Sequence, residues 1–227
     1  MVEPEVSATL YREARERIIE LAGQLDKEQL DTTVPACPRW TVRQLLAHLV
    51  GVSTDVINGD LAGAPGETWT AAHIAAREGR GVDELIAEWE RSGPEWDEIA
   101  RRAEHPSFIV RNPYLDAGTH EADLRGALGL IRPPAEVALA ITDSVLPRVA
   151  EDFEDLGGYT VITPDREYRL GSGDARATVR VDTYELSRAV FGRRSRAQIE
   201  AWDWTGSPGR FADRLPVMGP TETDLVD

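Results

Sequence analysis

Apolar residues recur at helical spacing through most of the first 130 positions. Leu10, Ile18, Leu21 and Leu25 fall on one side of a helix predicted over Val6 to Leu25. Val42, Leu45, Leu46 and Leu49 form the stripe of a second helix, capped by Thr41 and running to about Leu61, where Gly59, Gly63, Pro65 and Gly66 break it. A third helix fits Val82 to Ala103 with Leu85, Ile86, Trp89, Trp96 and Ile99 inward, and Gly93-Pro94 is expected to kink or restart it. The fourth begins near Pro113, a residue suited to a first helical turn, and ends at Gly129. Between the second and third helices, positions 63–81 carry Trp69 and His73 and read as a loop containing a short helix. Pro35, Cys37 and Pro38 read as a rigid connection between the first two.

A fifth helix is predicted from Pro134 to about Leu156, and at Gly157-Gly158 the period changes. Tyr159 to Ile162, Tyr168 to Leu170 and Thr178 to Val181 are short β-rich runs separated by Asp, Gly and Pro turns, and helices resume at Thr183 to Phe191 and Ser195 to Trp202. The expected fold is mainly α, a four-helix bundle over residues 1–156 with a small α+β domain over 157–227.

With 41% hydrophobic and 29% charged residues the chain has the composition of an ordinary soluble protein. No apolar run approaches the roughly 18 residues of a membrane span, and the start Met1-Val2-Glu3-Pro4-Glu5 lacks the basic and apolar regions of a secretory signal, so a cytoplasmic location is expected. Forty acidic against 25 basic residues, a formal charge of -15, argue against nucleic acid and anionic lipid as partners. The single cysteine, Cys37, excludes an internal disulfide and a thiolate-rich zinc site, so a metal here must use His and carboxylate ligands.

Chemistry concentrates at three positions. Asp116 and His120 are four apart on the fourth helix and therefore share a face, where they could hold one metal ion between them. A third ligand must come from elsewhere, and His48, beside the apolar stripe of the second helix, points near the buried side. Two imidazoles and one carboxylate leave an open coordination position, as in catalytic rather than structural zinc sites. The competing reading makes His48 a satisfied core residue and Asp116 with His120 a surface hydrogen bond. Asp123, three residues after His120, could fix a ligand tautomer or be a surface charge. Cys37 has no His or Lys near it in sequence and reads as a buried structural residue. Trp40 occupies the hydrophobic-staple position before Thr41, and His73 and His105 lie in loop-like stretches that read as solvated, with His73 the one that could line a pocket. Arg193 and Arg194, in a turn after Gly192, are candidates for an anion clamp or for capping the preceding helix.

The run from Cys37 to Leu49, Cys-Pro-Arg-Trp-Thr-Val-Arg-Gln-Leu-Leu-Ala-His-Leu, resembles the N-terminal signature of the mycothiol-dependent maleylpyruvate isomerase family, part of the wider DinB-like superfamily. Asp116 to Leu124 followed by Ala127-Leu128-Gly129 resembles its second signature, and Tyr184-Glu185-Leu186, Gly192 to Ser195 and Trp202 resemble its C-terminal domain. The resemblance implies a zinc site on His48, Asp116 and His120, with Asp116 standing where a family member carries Glu. Glu121, the rival carboxylate, should point about a quarter-turn away. It further implies mycothiol as cosubstrate, activated by zinc for S-transfer to, or isomerisation of, a small electrophile, with the C-terminal domain closing one side of the pocket. The alternatives are a metal-dependent hydrolase whose open position holds water, and a non-catalytic small-ligand-binding protein of the same fold.

Overall fold

The computed structural model describes residues 3–102, 110 and 112–227, so His105 lies outside the described residues. It forms two compact units, Val2–Arg132 and Pro133–Val226.

The first unit is built on four long helices. Helix α1 spans Pro4–Ala22, and a single turn, α2 (Lys27–Leu30), leads into a two-stranded hairpin, β1 (Thr33–Val34) and β2 (Cys37–Thr41). The segment read as a rigid connection is thus paired backbone. It delivers Thr41 as N-cap of α3 (Val42–Asn58), where the Thr41 hydroxyl accepts from the Gln44 amide and the Gln44 side chain answers the Thr41 amide. Gly59, in the left-handed conformation at φ 76°, ends the helix. Helix α4 (Glu67–Ala75) is the short helix expected between the second and third long ones. Helices α5 (Val82–Arg101) and α6 (Pro113–Ala127) complete the set. Helix α1 packs against α5 and α6, and α3 against α4, α5 and α6, so the four long helices enclose one core that includes Ile18, Leu45, Leu49, Leu85, Trp89 and Leu124.

Two local expectations differ from what is found. The helix passes through Gly93-Pro94 without a restart, and Gly93 is needed because Arg15 crosses it: a Cβ there would lie 2.7 Å from Arg15 Nε and closer still to Cζ and Nη1. On α1 the buried stripe is Tyr11, Ala14, Arg15, Ile18 and Ala22, rotated from the predicted line of leucines. Arg15 goes inward because Asp97 meets it at 3.1 Å, with both residues 6% exposed.

In the second unit, α7 (Ala135–Val149) runs into a 3₁₀ segment (Ala150–Leu156). Strands β3 (Gly158–Ile162), β4 (Glu167–Leu170), β5 (Ala175–Arg180) and β6 (Asp203–Gly206) form a sheet of order β4-β3-β5-β6, with β3 and β5 parallel and the other pairs antiparallel. Three of the four strands fall on the predicted runs; β6 is additional. Helices α8 (Thr183–Val190), α9 (Arg196–Glu200) and α10 (Phe211–Arg214) complete the unit. The division between units falls before α7, not after Leu156. Pro133 and Pro134 interrupt the chain, and α7 then packs on α8 and β4, where the Tyr168 hydroxyl meets Thr142 Oγ1 at 2.9 Å and donates to Asp143 at 2.8 Å. The architecture is mainly α with a C-terminal α+β part, and no described helix is long and apolar enough to cross a membrane.

Candidate metal centre

Helices α3 and α6 bring together the three residues that the sequence pattern singles out. His48 Nε2 lies 3.7 Å from Asp116 Oδ1, His120 Nε2 lies 3.6 Å from the same oxygen, and one ligand atom from each of the three residues fits within 4.8 Å of the others. The imidazoles are buried, whereas the Asp116 side chain is 29% exposed, so the cluster opens to solvent at the carboxylate. A tetrahedral zinc with ligands at about 2.0–2.1 Å separates neighbouring donors by about 3.3 Å, so the two nitrogen–oxygen spacings need to contract by only a few tenths of an ångström. The donor set, two imidazole nitrogens and one carboxylate oxygen, is of the kind that binds zinc.

Each imidazole is held from behind. His120 Nδ1 meets Asp123 Oδ2 at 2.9 Å, and Asp123 is buried, so Asp123 backs a histidine rather than decorating a surface. Burial works against a charged His120, but the hydrogen bonds to Asp123 and Cys37 and the nearby Asp116 charge outweigh it and raise its pKa to about 10. His48 Nδ1 lies 3.1 Å from His73 Nδ1, and His73 Nε2 lies 3.0 Å from Asp55 Oδ2. His73 is therefore not a solvated loop residue. It sits on α4, is 2% exposed, and has its pKa lowered chiefly by burial, with His48 and Arg77 adding to the shift against Asp55.

The aromatic wall is Trp40 and Trp69. The Trp40 ring centroid lies 5.0 Å from that of His48 and 6.3 Å from that of His120, so the residue at the staple position also covers the site. Trp69 stands edge-on to His73 at 4.3 Å, with its Nε1–H donated to the Asp60 carbonyl.

Cys37 departs from its sequence reading: it is half-buried, and its Sγ lies 3.7 Å from Asp123 Oδ2. The hairpin carries it to a histidine some 80 positions away, a proximity that local sequence does not display. Cys37, His120 and Asp123 also satisfy a metal-ligand spacing, but there the His120 nitrogen facing Asp123 is already engaged at 2.9 Å. Glu121 is fully buried against Arg17 and Arg125, turned away from the cluster as its position on the helix implies. Arg193 and Arg194 lie in the second unit. Arg194 is buried and paired with Glu185 at 2.6 and 3.0 Å, while Arg193 donates to the Phe191 carbonyl at 2.7 Å at the end of α8.

The family model described as Mycothiol maleylpyruvate isomerase N-terminal domain matches residues 11–125. No curated protein matches the chain. Among solved structures, a crystal structure of a mycothiol-dependent maleylpyruvate isomerase aligns with a TM-score of 0.59 at 14% identity, covering 85% of this chain and 90% of that one. A histidine-to-alanine variant of that enzyme aligns with the same score and identity over 84% of this chain and 90% of its own. At that identity the likeness shows the fold.

Proposed function

Because this chain belongs to the mycothiol maleylpyruvate isomerase N-terminal domain family, we propose that it is an isomerase-like enzyme that uses a small thiol, mycothiol, as cosubstrate and holds zinc on His48, Asp116 and His120. The observation that carries the zinc assignment is the convergence of two buried Nε2 atoms on one carboxylate oxygen, with each imidazole anchored through its other nitrogen. A thiol bound to zinc held there would have its pKa lowered from the ordinary value of about 8.5, so that it loses its proton to solvent and stands as a thiolate at neutral pH.

The remaining work falls to the chain's own residues. Asp123 and His73 keep the imidazole planes fixed, so the site need not reorganise when the thiol arrives. Trp40 and Trp69 exclude water from the side of the imidazoles. The part-exposed Asp116 marks the side from which thiol and electrophile approach. Cys37 is not the nucleophile of this scheme, since the attacking sulfur belongs to the cosubstrate. The reaction is addition of the thiolate to a carbonyl-conjugated double bond, whose π electrons move to form an enolate; rotation about the resulting single bond and expulsion of the thiolate restores the double bond in isomerisation, whereas uptake of a proton from solvent at the enolate carbon retains the sulfur in S-transfer.

The test is turnover of maleylpyruvate and related conjugated electrophiles with and without mycothiol. Saturable dependence on the thiol supports the proposal. Turnover that persists without any small thiol contradicts it and favours hydrolysis by metal-activated water.

A further inference from the structure

His48, Gly51 and Asp55 stand at i, i+3 and i+7 of α3 and so line one face of that helix. His73 lies across this face. Its Nδ1 is 3.1 Å from His48 Nδ1 and its Nε2 is 3.0 Å from Asp55 Oδ2, while its ring occupies the space a side chain at Gly51 would need: a Cβ there would come within 2.6 Å of His73 Cδ2. We infer that His73, seated over Gly51 and anchored by Asp55, is a positioning residue that holds His48 in the tautomer with its proton on Nδ1 and its lone pair on Nε2.

The deduction follows from counting protons along the chain of contacts. A carboxylate only accepts, so His73 Nε2 bears the hydrogen facing Asp55. A second proton on His73 Nδ1 would make it a buried cation close to Arg77, whose guanidinium donates to the His73 carbonyl at 3.2 Å. His73 Nδ1 therefore accepts, and the one hydrogen in the 3.1 Å contact belongs to His48. With Nδ1 turned to His73, His48 has Nε2, the nitrogen that faces Asp116 Oδ1, as the one it can offer to a metal. The relay reaches from Asp55, 25% exposed in its side chain, to a ligand nitrogen that is almost fully enclosed. It rests on the zinc reading for its purpose but not for its content, since the tautomer is a property of the metal-free protein.

The test takes the full chain and combines three readouts: ¹H–¹⁵N correlation of the imidazoles in the zinc-free protein, zinc affinity by competition with a chromophoric chelator, and thermal stability of the zinc-free form. Wild type should show His48 protonated on Nδ1. His73→Leu and Gly51→Ala should lower zinc affinity by about 10–100-fold, the usual effect of losing a group that orients a ligand. His73→Gln, whose amide can still accept from His48 and donate to Asp55, should restore most of it, which a purely space-filling role would not require. Asp55→Ala should leave His48 in a mixture of tautomers. His48 found with its proton on Nε2 in the wild type, or full zinc affinity in a folded His73→Leu protein, would overturn the inference. If His73→Leu fails to fold, the wild-type tautomer and the Asp55→Ala spectrum decide the question. Zinc retained by His48→Ala would remove the metal reading while leaving the tautomer measurement to stand or fall alone.

Discussion

Gly93→Ala inverts the usual effect of a helix substitution. Alanine in place of glycine inside a helix stabilises by roughly 0.5–1 kcal/mol. At position 93 the added methyl would overlap the Arg15 guanidinium, which is hydrogen-bonded to Asp97 at 3.1 Å and lies 5.4 Å from the centre of the Tyr11 ring. Moving Arg15 aside leaves Asp97, 6% exposed, without its countercharge, and breaking a buried pair from one side costs about 3–5 kcal/mol. The net is a destabilisation of about 2–4 kcal/mol, on the order of 6–12 °C in Tm for a unit of this size. The assay is calorimetry of the zinc-free full chain. The same substitution is then made where Arg15→Met and Asp97→Leu have already removed the pair. There the methyl should be neutral or stabilising, because only the helix preference is left. A Gly93→Ala protein that is more stable than wild type, or equally destabilised in both backgrounds, would refute the argument.

Removing the carboxylate behind His120 with Asp123→Ala should weaken zinc binding by about 10–100-fold without abolishing it, measured by chelator competition. Cys37→Ser should retain most thiol-dependent turnover, whereas loss of activity comparable to that of His48→Ala would make Cys37 part of the chemistry. Burial raises the pKa of Glu88, but its hydrogen bonds and charge contacts with Arg77, Arg80 and Thr54 outweigh that and hold it below the ordinary value. A depressed carboxylate stabilises the fold above its unfolded pKa and loses that contribution as pH falls through the folded value, so the Tm gap between wild type and Glu88→Gln should be widest near neutrality and close as pH falls below the ordinary carboxylate range.

What the sequence made legible was what local rules control. The Thr41 cap, the Gly59 stop, the Pro113 start and the i, i+4 pair Asp116 and His120 each declare themselves within one turn of helix. Burial on α1 was harder to read because its inward face uses Ala, Tyr and an arginine whose partner is 82 positions away. Helix α6 is buried almost all round from Pro113 to Leu124, so no apolar stripe distinguishes the face that carries Asp116 and His120. His73, which by local sequence reads as solvated or at most pocket-lining, is buried because its environment is made by another helix. The signal that could have found it is Gly51 between His48 and Asp55 on one helix face, a gap at the spacing an imidazole fills. Cys37 met His120 through a hairpin whose Pro-rich sequence concealed its pairing.

The central claim, a zinc ion on His48, Asp116 and His120, is tested most directly by elemental analysis of the purified full chain together with X-ray absorption at the zinc edge. The account predicts about one zinc per chain with two imidazole nitrogens and oxygen in its shell, lost in His48→Ala and in His120→Ala, and a sulfur neighbour only after mycothiol is added. Full zinc occupancy in both histidine variants, or a sulfur ligand from Cys37 before any thiol is supplied, would contradict it.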